Sequence, residues 1–414
     1  MLLIAAPGQG AQTPGFLSAW LELPGFRDRL EAWSELAGCD LIRAGTTADA
    51  EEIKDTAVAQ PLLLAAALAA AMDQVSTGAH PVSKQSVAVA GHSVGELAAG
   101  VLADVITAQD AMRLVRVRAR GMAAAAAAEP TSMTAVLGGD EAGVLAAIAA
   151  AGLTPANVNG AGQIVAAGTL AQLAAFAENP PAGARLRPLS VAGAFHTHHM
   201  APAVDALAAA AKEVQVCDPV RPLLSNRDGA VVKSGPDWLD RIINQVSAPV
   251  RWDLCMRTME SLGVTALIEL PPAGTLTGLA KRALRGIKLV SLKSPDDLDE
   301  ARALLAEHAD SHDDHHAPDW RLLVAPVAGT FRAPDGHPAA TGPGTDIGDR
   351  TDLGHVEARG GSNAVTAAFP ATVIEWLVED GDPVSAGQPL LRLQPVQAAA
   401  AQAGPAQSTS TGGS

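Results

Sequence analysis

The sequence has few cysteines, few basic residues and no long uninterrupted apolar run. The three cysteines, Cys39, Cys217 and Cys255, are far apart and lack metal-type spacing, which argues against disulfides and zinc and favours reduced thiols. A formal charge of −15 disfavours binding to nucleic acid or to an anionic membrane surface. No apolar stretch is long enough to cross a bilayer, so no membrane span is expected.

The beginning of the chain is typical of a buried strand rather than of a targeting segment. No basic region precedes the apolar residues 2–6, and Pro7-Gly8 ends the run. A secretory signal peptide has a basic first part and a longer apolar core. Together with the reduced thiols, this predicts a cytoplasmic protein.

Up to about residue 296, short apolar runs alternate with longer helix-like segments, which indicates an α/β fold. Expected strands lie at 2–6, 87–90, 134–137, 163–167 and 265–269, and expected helices at 59–73, 108–127 and 202–214. Between about 125 and 192 the strands are short and flanked by glycine. This predicts a small α+β subdomain, residues 125–192, inserted into a larger one formed by residues 1–124 and 193–300.

The composition changes after residue 303. Residues 307–318 are polar, charged and without periodicity, so residues 301–319 are predicted to be a flexible acidic and histidine-rich linker. Its histidines could bind a metal, but no scaffold or further ligand accompanies them. Short β-like runs at 322–325, 372–377 and 390–393 predict an all-β unit over 320–395. Residues 396–414 are predicted to be a disordered tail.

A serine lies between two glycines in residues 91–95, Gly-His-Ser-Val-Gly, directly after an apolar β-type run. The glycines permit a tight strand-to-helix turn that presents Ser93 at the start of a helix. The helix N-terminus favours developing negative charge there, and the Val94 N–H is a candidate oxyanion donor. The alternative is a glycine-rich turn with an N-capping serine.

A serine nucleophile needs a base, and the best candidates are the clustered His196, His198 and His199. They follow the apolar residues 189–194, and spacing alone does not choose among them. His92 adjoins the serine, but the tight turn favours a packing or site-shaping role for it.

Four motifs in this order carry a family resemblance: residues 8–12 (GQGAQ), residues 91–96 (GHSVGE), Arg118 within VRARGM, and residues 193–200 (GAFHTHHM). They resemble the malonyl-CoA:acyl carrier protein transacylases and the related acyltransferase domains of polyketide synthases. Further matches lie at 57–63, 157–168 and 244–252, so the resemblance covers roughly residues 1–296. It implies a hydrolase-like parallel sheet core with a ferredoxin-like insertion.

The resemblance assigns roles to individual residues. It implies that Ser93 is the nucleophile, that His196 is its base, and that the backbone carbonyl at Gln245 orients the imidazole. Gln9 would supply an oxyanion N–H opposite that of Val94. Gln60, His92 and Phe195 are expected to support the site, with Phe195 resembling the malonyl-selective members.

Arg118 matches the residue that would bind a malonyl carboxylate, because a guanidinium can donate two parallel charge-assisted hydrogen bonds to it. Without the resemblance, a solvated surface charge would be the favoured interpretation, since Arg113, Arg116 and Arg120 are close in sequence.

The activity implied is malonyl transfer from malonyl-CoA to the phosphopantetheine thiol of an acyl carrier protein, through a malonyl-serine intermediate. It needs no metal and no bound organic cofactor, and it would serve fatty acid or polyketide synthesis. The alternative is a serine acyl hydrolase or editing thioesterase, which would deliver the acyl group to water.

The C-terminal residues 322–395 resemble a biotinyl carrier domain, a flattened β-sandwich. Gly360 occupies the position of the attachment lysine, after Val356-Glu-Ala358, and Lys293 is the last lysine of the chain. The domain therefore cannot carry biotin or lipoate on a lysine. It is expected to be either a docking module for a carrier protein, a carboxylase or a synthase subunit, or a relic without a role.

Overall fold

The computed structural model describes residues 1–75, 86–310, 321–334, 342, 344–358 and 360–395. The chain divides into two compact units, Met1–His312 and Asp313–Ser414. Among the described residues, no helix combines the length and the hydrophobicity that a bilayer span requires.

The first unit contains twelve α-helices and eleven strands among its described residues. The helices are α1 (Phe26–Ala37), α2 (Leu41–Thr46), α3 (Thr56–Ala69), α4 (Gly95–Leu102), α5 (Ala108–Ala128), α6 (Glu141–Ala150), α7 (Leu170–Glu178), α8 (Ala201–Ala211), α9 (Gly235–Gln245), α10 (Trp252–Ser261), α11 (Thr275–Ala283) and α12 (Leu298–Asp310). The strands are β1 (Leu2–Ala6), β2 (Val87–Gly91), β3 (Thr131–Gly138), β4 (Thr154–Gly160), β5 (Gln163–Thr169), β6 (Ala184–Pro188), β7 (Leu223–Leu224), β8 (Val231–Val232), β9 (Val250–Arg251), β10 (Ala266–Glu269) and β11 (Lys288–Ser291).

A six-stranded sheet in the order β11-β10-β1-β2-β7-β8 forms the centre of this unit. The strands from β11 to β7 run parallel, and β8 pairs antiparallel with β7. Every residue of β1 and β2 is buried, as expected for apolar strands of a parallel sheet covered on both faces. Ala6 pairs with Gly91 at the carboxyl ends of these strands, so the segments after them emerge side by side.

The segments that were predicted as strands and helices form such elements, with bounds that differ by a few residues. The helix expected at 59–73 begins earlier, at Thr56, because the Asp55 side chain accepts a hydrogen bond from the Ala57 N–H and caps the helix. It gives way to a π-helical turn at Ala70–Val75.

Residues 131–188 form a smaller sheet with its own apolar core. The order of elements is β3-α6-β4-β5-α7-β6, which matches a ferredoxin-like subdomain. The sheet order is β6-β3-β5-β4-β9, and β9, from the larger part of the unit, pairs parallel with β4. α10 begins directly after this strand.

The predicted linker over 301–319 is wrong for its first ten residues, which belong to α12. Ala301, Leu304 and Leu305 recur at helical spacing and are buried in the main core. His308 is also buried, and its Nε2 lies 3.0 Å from Thr265 Oγ1. Burial of this apolar face therefore favours a helix here, although the composition of the segment is charged. The remaining linker residues, including His312, His315 and His316, lie outside the described part of the chain.

The second unit contains eight described strands. They are β12 (Arg321–Val324), β13 (Gly329–Arg332), β14 (Asp346–Ile347), β15 (Asp352–Ala358), β16 (Gly361–Thr366), β17 (Ala371–Trp376), β18 (Pro383–Val384) and β19 (Pro389–Pro395). They form two antiparallel sheets, β12-β19-β17-β14 and β16-β15-β13-β18, and one apolar cluster draws side chains from both. The biotinyl-type sandwich stays a prediction, and the predicted tail at 396–414 lies outside the described residues.

Two glycines let the turn after β2 pack against the sheet. A Cβ on Gly91 would lie 1.9 Å from the carbonyl carbon of Gly95, and a Cβ on Gly95 would lie 2.3 Å from the carbonyl oxygen of Ala6. Both contacts involve backbone, which cannot move aside cheaply. The close approach of α4 to β1 therefore requires glycine at these positions.

We expect Gly95→Ala to lower the free energy of unfolding by about 3 kcal/mol, because the added methyl group must displace backbone atoms. Gly278→Ala is the matched control, since its Cβ would meet nothing closer than Arg282 Nη1 at 4.0 Å. Urea unfolding of both variants measures the difference. Equal stabilities would contradict the packing argument.

Candidate active site

Ser93 lies in a strained turn between β2 and α4, with a φ of 54°. Its N–H donates to Asn226 Oδ1 at 2.8 Å, and Asn226 Nδ2 donates to the Gly91 carbonyl at 2.8 Å. Asn226 follows β7, the strand next to β2. The turn is therefore held both by its glycine contacts and by a side chain from the neighbouring strand.

Ser93 and His196 form a hydrogen-bonded line with the backbone of Gln245. Ser93 Oγ and His196 Nε2 are 2.7 Å apart, and His196 Nδ1 lies 2.8 Å from the Gln245 carbonyl oxygen. A carbonyl only accepts, so Nδ1 carries the proton, and in the neutral ring Nε2 is the acceptor that faces the serine hydroxyl. This arrangement suits proton removal from Ser93 without a carboxylate partner.

The charge state of His196 follows from its surroundings. The imidazole is 3% exposed, and its burial, with the positive charge of Arg118 as the second cause, lowers the pKa of His196 to about 3. The ring is therefore neutral at neutral pH and available to accept a proton.

The other two clustered histidines do not reach the serine. His199 Nδ1 lies 2.7 Å from Glu129 Oε2, and the ring of His198 contacts that of His199. The structure therefore separates the three histidines that spacing could not distinguish.

Arg118 is buried beside Ser93, not solvated at the surface. It is 1% exposed and donates from Nη2 to Ser93 Oγ at 3.2 Å and to Gln245 Oε1 at 2.8 Å. Its Nη1 donates to Gln60 Oε1 at 2.5 Å. Burial lowers the pKa of Arg118 to about 10, which still leaves the guanidinium charged at neutral pH. A desolvated cation next to a nucleophile is suited to bind an anionic group of a substrate.

One cavity connects these groups with the other predicted site residues. Gln9, Val94 and Phe195 line it together with Ser93 and His196. Gln9 follows β1 and Val94 follows β2, and the carboxyl ends of these strands are adjacent, which brings the segments with both candidate oxyanion donors to the same edge of the sheet. The predicted site is thus assembled from segments far apart in sequence.

His92 also lines the cavity, so the tight turn does not direct it away from the site. Its Nε2 lies 2.9 Å from Asn159 Oδ1, and its ring lies 5.7 Å from that of Trp252. Burial lowers the pKa of His92. The ring contacts the small subdomain at the cavity wall, and its site-shaping role stays a prediction.

Sequence reasoning missed Asn226 and gave no role to Glu96. Asn226 lies two residues after the apolar β7, and nothing in the local sequence shows that its side chain binds the Ser93 N–H. Glu96 was part of the quoted motif, but only the fold shows that it is buried behind Ser93.

No cluster of three or more potential metal ligands occurs among the described residues. The linker histidines that raised the possibility of a metal site lie outside that part of the chain, apart from His308, whose ring is engaged by Thr265 and the Leu304 carbonyl.

Comparisons with known proteins identify the relatives of this chain. Residues 5–315 match the family model described as the acyl transferase domain. A malonyl CoA-acyl carrier protein transacylase of Mycobacterium tuberculosis is 55% identical over 300 residues, which cover 72% of this chain and 99% of the relative. A crystal structure of the M. tuberculosis transacylase superposes with a TM-score of 0.69 over 73% of this chain and 99% of that one, at 55% identity.

A further solved structure is a malonyl-transacylase in complex with a type II polyketide synthase acyl-carrier protein. It is 28% identical, covers 73% of this chain and 99% of that chain, and has a TM-score of 0.67. The match of a family model to most of the chain and the high identity to complete relatives lead to one conclusion: the chain belongs to the malonyl CoA-acyl carrier protein transacylase family of acyltransferases.

Proposed function

We propose that this protein transfers a malonyl group from malonyl-CoA to the phosphopantetheine thiol of an acyl carrier protein. The observation that carries the proposal is the line from Ser93 through His196 to the Gln245 carbonyl, with the buried cation of Arg118 3.2 Å from the serine oxygen. The names of the relatives and the carrier-bound transacylase among the similar structures support it.

In the first half-reaction Ser93 Oγ attacks the thioester carbonyl of malonyl-CoA while His196 Nε2 takes the hydroxyl proton. The N–H groups of Gln9 and Val94 stabilise the oxyanion, and each such donor contributes about 3 kcal/mol to transition-state stabilisation. The oxyanion collapses, coenzyme A leaves with the proton from His196, and a malonyl ester remains on Ser93.

In the second half-reaction the carrier thiol enters the same cavity. His196 takes the thiol proton, the thiolate attacks the ester carbonyl, and Ser93 recovers its proton as the malonyl thioester leaves. His196 can act as the base in both half-reactions. It has given its proton to coenzyme A by the time the malonyl ester has formed, so the imidazole is neutral again when the carrier thiol arrives. The mechanism uses no metal and no bound organic cofactor.

Arg118 selects the acyl group in this proposal. A malonyl carboxylate would receive paired hydrogen bonds from the guanidinium, whereas an acetyl group would leave a buried charge without an anionic partner. Phe195, 5% exposed, forms part of the cavity wall and limits the room for a branched acyl group.

The hydrolase alternative is not favoured, because the curated relatives are transacylases. The carrier protein would belong to fatty acid synthesis or to a trans-acting polyketide pathway, and both use the same thiol chemistry.

For the second unit we propose a docking role. Gly360 is exposed and lies between β15 and β16. The resemblance to a biotinyl carrier domain would put the attachment lysine at this position. Four large apolar side chains of the unit are exposed: Leu322, Val324, Ile374 and Leu377. Three of them belong to β12 and β17 of one sheet, so an apolar surface is available to a protein partner such as a carrier protein, a carboxylase or a synthase subunit.

We expect Ser93→Ala to lower the rate of malonyl transfer to a carrier protein by about 10⁴-fold, because the transfer loses its covalent intermediate. Ser261→Ala, at an exposed serine at the end of α10, is the control and should keep the wild-type rate. Radiolabelled malonyl-CoA with a holo carrier protein measures both. A Ser93→Ala variant with substantial transfer would refute the proposed nucleophile.

We expect Arg118→Met to lower kcat/KM for malonyl-CoA by about 10²- to 10³-fold, the range for removing one member of a buried charge pair. Acetyl-CoA should react no more slowly than with the wild type, so the selectivity ratio falls. Arg113→Met, on the exposed side of the same helix, should leave the ratio unchanged. Competition between the two thioesters measures it, and an unchanged ratio in Arg118→Met would refute the role.

For the second unit, we expect a chain ending at His312 to keep malonyl-serine formation but to lose transfer efficiency with the carrier protein that the unit binds. The boundary includes all of α12, whose buried leucines belong to the first unit. Leu322→Ser with Ile374→Ser should reproduce the loss in the full chain, and Leu170→Ser, at an exposed leucine of the first unit, should not. Equal transfer to every carrier protein tested would refute docking by a carrier protein.

A further inference from the structure

Arg118 is a buried cation whose direct partners are neutral. Its guanidinium donates to the side-chain oxygens of Gln60, Gln245 and Ser93. The nearby carboxylate of Glu96 opposes the effect of burial on the charge of Arg118. Glu96 is 1% exposed and lies in the first turn of α4, behind the serine.

The Glu96 carboxylate binds two residues that hold the site together. Its Oε1 accepts from the Asn226 N–H at 2.8 Å, and its Oε2 accepts a hydrogen bond from Gln245 Nε2. The Asn226 side chain binds the Ser93 N–H, and the Gln245 backbone carbonyl binds His196. One carboxylate thus connects to both members of the serine–histidine pair, each through one residue.

The orientation of the Gln245 amide follows from this arrangement. A carboxylate only accepts hydrogen bonds and a guanidinium only donates them. Gln245 lies between the two, so its nitrogen must face Glu96 and its oxygen must face Arg118. If Glu96 lost its charge, the amide nitrogen would keep only its longer hydrogen bonds to the Ser93 carbonyl at 3.2 Å and to Asn226 Oδ1 at 3.4 Å, so the amide would be held less firmly. A rotated amide would present N–H groups to the guanidinium, which has no lone pair to accept them.

We propose that Glu96 is a positioning residue that fixes the Gln245 amide between itself and Arg118 and thereby holds Arg118 and His196 in their working geometry. This inference rests on the proposed function for its effect on malonyl transfer. It also predicts the reactivity of Ser93 itself, which can be measured without malonyl-CoA or a carrier protein.

The proposed role of Glu96 predicts that the reactivity of Ser93 depends on pH. Burial raises the pKa of Glu96 to about 7, so the carboxylate takes up a proton as the pH falls through that value, and one of its two acceptor oxygens becomes a donor. The titratable groups that face it are Arg118 on α5 and Cys255 on α10, with His196 beyond Gln245. None of these three changes charge near pH 7, because the pKa of His196 is about 3, that of Arg118 is about 10 and burial raises that of Cys255.

The test compares the wild type, Glu96→Gln and Glu269→Gln between pH 5 and 8. Two rates are measured: labelling of Ser93 by phenylmethanesulfonyl fluoride, read by mass, and kcat/KM for malonyl transfer. Glu269 is the matched control, because it is 0% exposed and accepts backbone hydrogen bonds at the start of α11, away from the serine. The wild-type rates and those of Glu269→Gln should fall below pH 7.

For Glu96→Gln we expect both rates to fall about 10- to 100-fold at pH 8, the range for losing hydrogen bonds to a charged group. The decline below pH 7 should disappear. A Glu96→Gln variant with wild-type rates, or with the low-pH decline intact, would overturn the proposal. A wild type that labels as expected but transfers no malonyl group would instead refute the proposed function and leave the role of Glu96 supported.

If Glu96→Gln does not fold, Gln245→Met provides the same test. This variant keeps the backbone carbonyl that binds His196 and removes the amide through which Glu96 acts, so its labelling rate should show no decline near pH 7. A decline that persists in Gln245→Met would contradict action through Gln245. Where both single variants fold, the double variant should slow the labelling of Ser93 by less than the product of the two single-variant factors. The reason is that Glu96→Gln and Gln245→Met remove the same interaction.

Discussion

The buried guanidinium of Arg118 is the constraint around which the site is organised. A fully desolvated charge is unfavourable unless polar groups surround it, and here the oxygens of Gln60, Gln245 and Ser93 do so. Burial is the main cause of the low pKa of His196, and the charge of Arg118 lowers that pKa further. In the proposed mechanism, the cation that would bind the acyl carboxylate thus lies beside the serine and also favours the neutral form of its base.

The sheet and the turn after β2 supply the precision that this arrangement needs. Gly91 and Gly95 let α4 approach β1, and the register of β1 and β2 brings the segments with Gln9 and Ser93 together. Asn226 then ties the turn to the adjacent strand. The strained backbone of Ser93 persists because tertiary contacts on several sides determine it.

The sequence allowed the α/β alternation, the serine turn and the histidine segment to be predicted, because these depend on local patterns and short motifs. Arg118 was identifiable only through family resemblance, since nothing local distinguishes it from Arg113 on the same helix. Glu96 and Asn226 could not be assigned, because their contact joins residues 130 positions apart. The linker prediction was wrong for residues 301–310, because it followed their charged composition and not the helical spacing of the apolar residues that α12 buries.

In the proposed mechanism, the acyl group resides on Ser93 until a thiol takes it. The most direct measurement is intact and peptide mass spectrometry of the full chain mixed with malonyl-CoA, followed over time without and then with a holo carrier protein. We expect one malonyl adduct, located on Ser93, that persists in water and disappears rapidly once the carrier is added. An adduct that is absent, lies elsewhere or decays equally fast without a thiol would contradict it.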